Sequence, residues 1–325
     1  MINFQHYNPT RIIFGKDVYK NIGEEVKKYG TRILMVYGGK SLKANGTYDK
    51  VVKSLKKAGV KFSELSGIKP NPRLTPVYEG IKIAREKKVE MILAVGGGSV
   101  ITTCCTDLFY PKFAMLDPQL CYTLPDHQIS AGGTDILAHV MERYFVPDDN
   151  HEFSDRMCEA AMISLIHNLP KVLADKKNYD AWAEVMWIGN VAHNGLLARG
   201  KRDDWGSHDI EHQLSAHYDI AHGAGLAIIF PAWMKYVWKE KPSMMEQYAV
   251  RVWGVSTEGK CLMRKQIKWF PESRFTGIQE IILRLLILCR SCSQERRQLS
   301  QRAAWNTVNS LLRTSLQMQE CTPMI

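Results

Sequence analysis

Apolar and polar positions follow two different rhythms along this chain, and the change between them divides it. Up to about residue 123, short apolar runs alternate with helical spacing. Arg11-Ile12-Ile13-Phe14-Gly15 reads as a strand after an extended opening from Phe4 and the Asn8-Pro9 turn. Asp17 to Lys28 has helical spacing. Ile33-Leu34-Met35-Val36-Tyr37 is an unbroken apolar run of the kind a parallel sheet buries on both faces, and it ends at Gly38-Gly39-Lys40-Ser41. Asn45 to Gly59 is an amphipathic helix, Val60 to Leu65 a strand, Pro70-Asn71-Pro72 a rigid turn and Leu74 to Lys87 a helix. Met91-Ile92-Leu93-Ala94-Val95 is then a strand running into Gly96-Gly97-Gly98-Ser99. Such alternation predicts a doubly wound α/β domain.

The rhythm breaks after Ser99. Thirteen residues, Ser99 to Pro111, separate the glycine loop from the next strand, Lys112 to Asp117, which is barely enough for a parallel crossover with its helix. From Leu124 onward the spacing is helical throughout. Ile129 to Tyr144, Phe153 to Leu173, Tyr179 to Ala198, Trp205 to His217 and His222 to Trp238 form the body of a second, all-α domain. Core packing is the first expectation for the aromatics of Pro231-Ala232-Trp233-Met234-Lys235-Tyr236, and for His193-Asn194 it is weighed equally with a site role.

Length and composition change this picture little. A chain of 325 residues, 45% hydrophobic and 23% charged, has room for two soluble globular domains. The N-terminal Met1-Ile2-Asn3-Phe4-Gln5-His6 has no secretory pattern, and the longest apolar cluster, Ile281 to Cys289, is too short to span a membrane and contains Arg284. A cytoplasmic protein without a membrane partner is expected. Of the eight cysteines only Cys289 and Cys292 have Cys-x-x-Cys spacing, so neither a disulfide framework nor a thiolate metal site is indicated. The net charge of +10 lies mostly after Gly259, where arginine outnumbers lysine although lysine dominates earlier. That shift marks 260–325 as an atypical basic tail of separate origin rather than a nucleic-acid surface, with a basic interaction helix as the lesser reading.

Candidate chemistry sits where histidines crowd. The stretch Asp204 to Gly225 carries four of the ten histidines, with His208 and His212 four apart on one helix face and His222 beyond a short break. Upstream, Asp135 and His139 have the same spacing. A lone pair of this kind is more often a solvated face than a ligand pair, but two pairs together suit a divalent cation with three imidazoles and one carboxylate, Fe²⁺ or Zn²⁺ rather than Ca²⁺ or Mg²⁺.

The order Asp-x3-His, then His-x3-His-x9-His followed by Gly-x-Gly and Phe230-Pro231, resembles the iron-containing (group III) alcohol dehydrogenase family, its butanol dehydrogenase-like branch in particular. The resemblance covers Met1 to Ile101 and Phe113 to about Gly259. It implies an N-terminal Rossmann-like nucleotide-binding α/β domain, 1–123, and an all-α metal-binding domain, 124–259, in a dehydroquinate synthase-like architecture that is incomplete near 101–112. There a family segment of several dozen residues, which includes the nicotinamide loop, has no counterpart. By the same resemblance the metal ligands are Asp135, His139, His208 and His222, with His212 beside the site as a proton relay or as support for a ligand. The cofactor is NADP or NAD, with Gly96, Gly97, Gly98 and Ser99 at the pyrophosphate, Gly38, Gly39 and Ser41 near the adenosine ribose and Asn71 near the adenine. Lys40, where a glycine is usual, would suit a 2′-phosphate and tilts the choice toward NADP.

The activity implied is hydride transfer between that cofactor and a small alcohol or aldehyde such as butanol or butanal, in a chain for which a homodimer stays open. The competing expectation is a remnant that keeps the metal site but cannot seat the nicotinamide. A lyase on the dehydroquinate synthase-like architecture is a weaker third, since the motif order from His208 to His222 argues against it.

Overall fold

The computed structural model describes residues 1–39, 41–69, 71, 73–97 and 110–255, the side chain of Ser41 excepted. The expectations placed on Gly98, Ser99, Lys40, the 101–109 stretch and the tail 260–325 lie outside the described residues. The chain forms two compact units: Tyr7–Thr123 with Lys176–Met186, and Met1–His6 with Leu124–Asp175 and the residues from Trp187 onward.

In the α/β unit the elements run β1 (Arg11–Phe14), α1 (Ile22–Lys27), β2 (Arg32–Tyr37), α2 (Ser41–Ala44), α3 (Thr47–Lys57), β3 (Lys61–Leu65), α4 (Leu74–Glu86), β4 (Met91–Val95) and β5 (Phe113–Leu116). Strands β3, β2 and β4 form a parallel sheet in that order, with Ile33 opposite Phe62 on one side and Met91 on the other. As the middle strand, β2 is buried on both faces, which is why its sequence is an unbroken apolar run. Ile33, Met35 and Tyr37 share a core with Ile22 and Val26 of α1 and with Val51, Leu55 and Ala58 at α3. The opposite face carries α4, where Gly80 lets the helix settle onto Leu34 and Leu65: a Cβ there would already stand 3.1 Å from the Leu65 side chain. This second face is covered less far out. Ile92, the register partner of Leu34, is 62% exposed, as are Leu74 and Tyr78 of α4 at 62% and 63%.

Two details depart from the sequence expectation. Strands β1 and β5 pair with each other, in parallel, and not with the three-stranded sheet, so the described strands form two sheets and not one doubly wound layer. The helix expected from Asp17 to Lys28 is broken into a 3-10 turn, Val18–Asn21, and α1. Asp17 takes a left-handed backbone (φ 60) and donates its N–H to the buried Asp117 carboxylate at 2.6 Å, an anchor that continuous helix would forbid.

The helical unit comprises α5 (Asp126–Glu142), α6 (Glu152–Ala174), the later part of α7 (Tyr179–His193), α8 (Gly206–Tyr218), α9 (His222–Val237) and α10 (Pro242–Arg251). Helix α7 stops at His193, short of the expected Ala198, because Gly195 is left-handed (φ 79) and the Asn194 side chain accepts the Leu196 N–H at 3.0 Å. Helix α5 is the hub. A Cβ at Gly133 would overlap Leu169 of α6, and one at Gly223 would overlap the Ala131 carbonyl, so α6 and α9 both press on α5 at near-backbone distance. Trp233 of α9 is buried against Phe230 and Phe145, in line with core packing. Beside this apolar core lies a buried ion pair, Lys201 Nζ to Asp155 Oδ1 at 3.0 Å, with His151 Nδ1 on the same oxygen at 2.9 Å.

Candidate functional site

Four side chains from three helices meet in the helical unit. Asp135 and His139 lie one turn apart on α5, His208 is in the first turn of α8, and His222 is the first residue of α9. Around Asp135 Oδ1 stand His222 Nε2 at 3.4 Å, His139 Nε2 at 3.6 Å and His208 Nε2 at 3.9 Å. Four ligand atoms each about 2.1 Å from a tetrahedral cation would be about 3.4 Å apart. Asp135 Oδ1 and His208 Nε2 are both buried without a hydrogen-bond partner. Unpaired buried acceptors facing one another are costly, and a cation between them removes the cost. The donor set therefore fits a divalent ion of the Fe²⁺ or Zn²⁺ kind.

The proton positions agree. His208 Nδ1 donates to Glu142 Oε1 at 2.8 Å and His222 Nδ1 donates to Glu211 Oε2, so each Nε2 presents a lone pair. His139 differs, since its Nδ1 faces the Arg143 guanidinium at 3.4 Å. Burial, reinforced by His193, lowers the His139 pKa to about 2. Burial also acts to lower His208, but Asp135 and Glu142 outweigh it and push the group up to about 9, so below that pH an ion takes the Nε2 position in exchange for a proton. Burial acts to raise Asp135; His193 and His208 overcome it and hold the carboxyl below the usual carboxylate range.

Four neighbours carry signals that helical spacing alone does not give. His193 donates Nδ1–H to the Gly189 carbonyl at 2.7 Å and turns Nε2 toward Asp135 Oδ2 at 3.6 Å, its ring 3.9 Å from that of His139. The site role weighed for it therefore has geometric support. Trp205 sets its edge against the rings of His139 and His208 at 5.3 and 5.0 Å and takes the Arg143 guanidinium on its face at 4.6 Å. Glu142 and Glu211 are fully buried. The only sequence signal for Glu142 was its place two turns after Asp135 on the same helix face. His212 is exposed, stacks on His222 at 5.2 Å and shares with Glu211 and His222 a second cluster whose ligand atoms lie within 4.8 Å of one another. Burial, with His222 next, lowers its pKa.

The glycine loops belong to the α/β unit. Tyr37 and Val95 are register partners, so Gly38-Gly39 and Gly96-Gly97 leave neighbouring parallel strands at the same end. A Cβ at Gly39 or Gly97 would meet nothing within 4 Å. The loop after β3 is tied to the same end, with Gly67 N–H on the Gly38 carbonyl at 3.0 Å, and Asn71 follows it in a left-handed conformation (φ 52). Bare backbone amides at the carboxyl ends of parallel strands, with open space before them, fit a nucleotide phosphate. Ser41 opens α2. No described helix is long and apolar enough to cross a membrane.

Residues 9–106 match the profile of the iron-containing alcohol dehydrogenases, and residues 129–270 match the C-terminal profile of the same family. NADH-dependent butanol dehydrogenase B of Clostridium acetobutylicum is 38% identical over 318 residues, covering 79% of this chain and 82% of that protein. An NADPH-dependent aldehyde reductase of Escherichia coli is 33% identical, with 80% and 82% covered. The crystal structure of NADH-dependent butanol dehydrogenase A from Thermotoga maritima superposes with a TM-score of 0.80 at 33% identity, over 88% of this chain and 84% of that one. The Clostridium alignment runs over 318 positions but draws on 79% of 325 residues, about 257, so about sixty positions of that relative have no counterpart here.

Proposed function

We propose, from the plain fact that this chain belongs to the iron-containing alcohol dehydrogenase family, that it interconverts a small aldehyde and its primary alcohol, such as butanal and butanol, with NADH or NADPH. Residues 124–259 would hold an Fe²⁺ or Zn²⁺ ion through Asp135, His139, His208 and His222, and residues 1–123 the nucleotide. The observation that carries this reading is the ring of three imidazole nitrogens within 3.9 Å of one unpaired oxygen of Asp135. When bound, the ion supplies Lewis acidity to the substrate oxygen and the nucleotide supplies the hydride.

The chain's own groups do the rest. Asp135 contributes the one negative charge among the ligands, which leaves the centre cationic and ready for an oxygen donor. Gly96 and Gly97, with Gly98 and Ser99 after them, would offer amides to the pyrophosphate, Gly38, Gly39 and Ser41 would serve the adenosine ribose, and Asn71 the adenine. His212 is exposed beside His222 and is suited to pass a proton between solvent and the substrate oxygen. Lys40 would suit the 2′-phosphate of NADPH, whereas the Clostridium and Thermotoga relatives are named as NADH-dependent.

Protein loaded with Fe²⁺ or Zn²⁺ should oxidise NADH or NADPH when butanal is added, followed by loss of absorbance, and the preferred nucleotide is the one with the lower KM. Asp135→Ala should abolish both metal binding and turnover. Failure of the wild-type chain to bind either ion overturns the proposal. The sixty positions missing against the Clostridium relative favour a second reading, a chain that keeps the metal centre without completing the nucleotide site. Stoichiometric metal with no turnover on either nucleotide would establish that reading and overturn the first.

A further inference from the structure

We infer that Glu142 and Glu211 are positioning residues, a matched pair of buried carboxylates that fix the imidazoles of His208 and His222 in the Nδ1–H form and so aim both Nε2 lone pairs at one cation. The inference rests on the metal-site reading above and goes beyond it, since it assigns a task to two residues outside the ligand set.

Neither glutamate is exposed at all, and each has a histidine Nδ1 on one oxygen. Glu142 also accepts from the Ser207 hydroxyl and from the His208 backbone N–H at 3.2 Å. Glu211 accepts from the Ser215 hydroxyl at 2.5 Å. Each carboxylate is thus held by a serine on α8 while it holds a histidine. The bracing crosses between helices in sequence: a glutamate of α5 fixes a histidine of α8, and a glutamate of α8 fixes a histidine of α9.

The fold makes room for this at a cost in side chains. A Cβ at Gly225, one turn into α9, would overlap the Glu211 carboxylate, so the backbone of α9 is stripped to let that carboxylate reach His222. A buried glutamate that served only to start α8 would explain the Ser207 and His208 N–H contacts of Glu142. It would not explain a second, independently built carboxylate doing the same to the only other ligand from the later helices. Without an acceptor at Nδ1, a neutral imidazole can place its proton on Nε2 and cease to be a ligand there.

The test uses the full-length chain and Co²⁺ as the probe ion, read by its visible absorption and by titration. Glu142→Ala and Glu211→Ala should each weaken Co²⁺ binding about 10- to 100-fold and shift the absorption band. Glu142→Gln and Glu211→Gln, whose amide oxygens still accept from Nδ1, should recover part of the affinity. An unchanged dissociation constant and band in folded alanine variants would overturn the inference. Should the alanine variants not fold, Glu142→Met and Glu211→Met, which fill the space without an acceptor for Nδ1, take their place, and Co²⁺ affinity and spectrum identical to wild type in both would overturn it equally. A wild-type chain that takes up no Co²⁺ would instead defeat the metal-site reading itself, which separates the two failures.

Discussion

The candidate metal centre and the glycine loops are built in opposite ways. Around Asp135 every group is a side chain, and two of the imidazoles are fixed by fully buried carboxylates behind them, Glu142 behind His208 and Glu211 behind His222. At the ends of β2 and β4 the groups on offer are backbone amides, and a Cβ at Gly39 or Gly97 would touch nothing. A site made of interlocked side chains is specified locally and resists loss of neighbouring sequence. A site made of bare backbone depends on whatever chain follows, and here about sixty positions of the Clostridium relative have no counterpart in the chain.

The largest effect that would break this contrast is at its centre. Asp135→Ala should lower Fe²⁺ or Zn²⁺ affinity by more than the roughly 10- to 100-fold that outer partners command, with circular dichroism showing the helices retained. Next is the buried ion pair of Lys201 and Asp155. Lys201→Met leaves the Asp155 carboxylate buried with His151 as its nearest partner, and urea unfolding should register a loss of about 3–5 kcal/mol. The two glycine environments can then be set against each other directly. Gly225→Ala should destabilise by about 1–3 kcal/mol and weaken metal binding, because Glu211 must move. Gly97→Ala should leave stability within about 0.5 kcal/mol and weaken NADH binding in a fluorescence titration. Equal behaviour of the two variants would erase the distinction. The smallest effect is expected on the bare face of α4, where Tyr78→Lys should hold the melting temperature and reduce light scattering in concentrated solution.

Much of this was legible in the residue pattern. Strand β2 announced itself by an unbroken apolar run because it lies in the middle of its sheet, and α4 and β4 fell where the periodicity placed them. The ligand candidates were found because one helical turn puts Asp135 above His139. Asp17 and Gly195 break helices through contacts that spacing does not encode: a carboxylate one hundred residues away in one case, a left-handed turn in the other. Pairing of β1 with β5 is a long-range choice of the same kind. Glu142 and Glu211 stayed hidden because a glutamate on a helix is ordinarily a solvated charge. Only their complete burial, visible in three dimensions, marks them as working parts.

Helix α5 carries two of the proposed ligands and the carboxylate behind a third, and it is also the surface on which α6 and α9 rest without room for a methyl group. Whatever tightens the ligand end must therefore tighten that packing. Chelation should act on this protein as a mild denaturant, softening the helical core in the same step that empties the centre. The melting point of that core should climb with the logarithm of free metal, so that a thermal shift reports the ion's affinity without any substrate present.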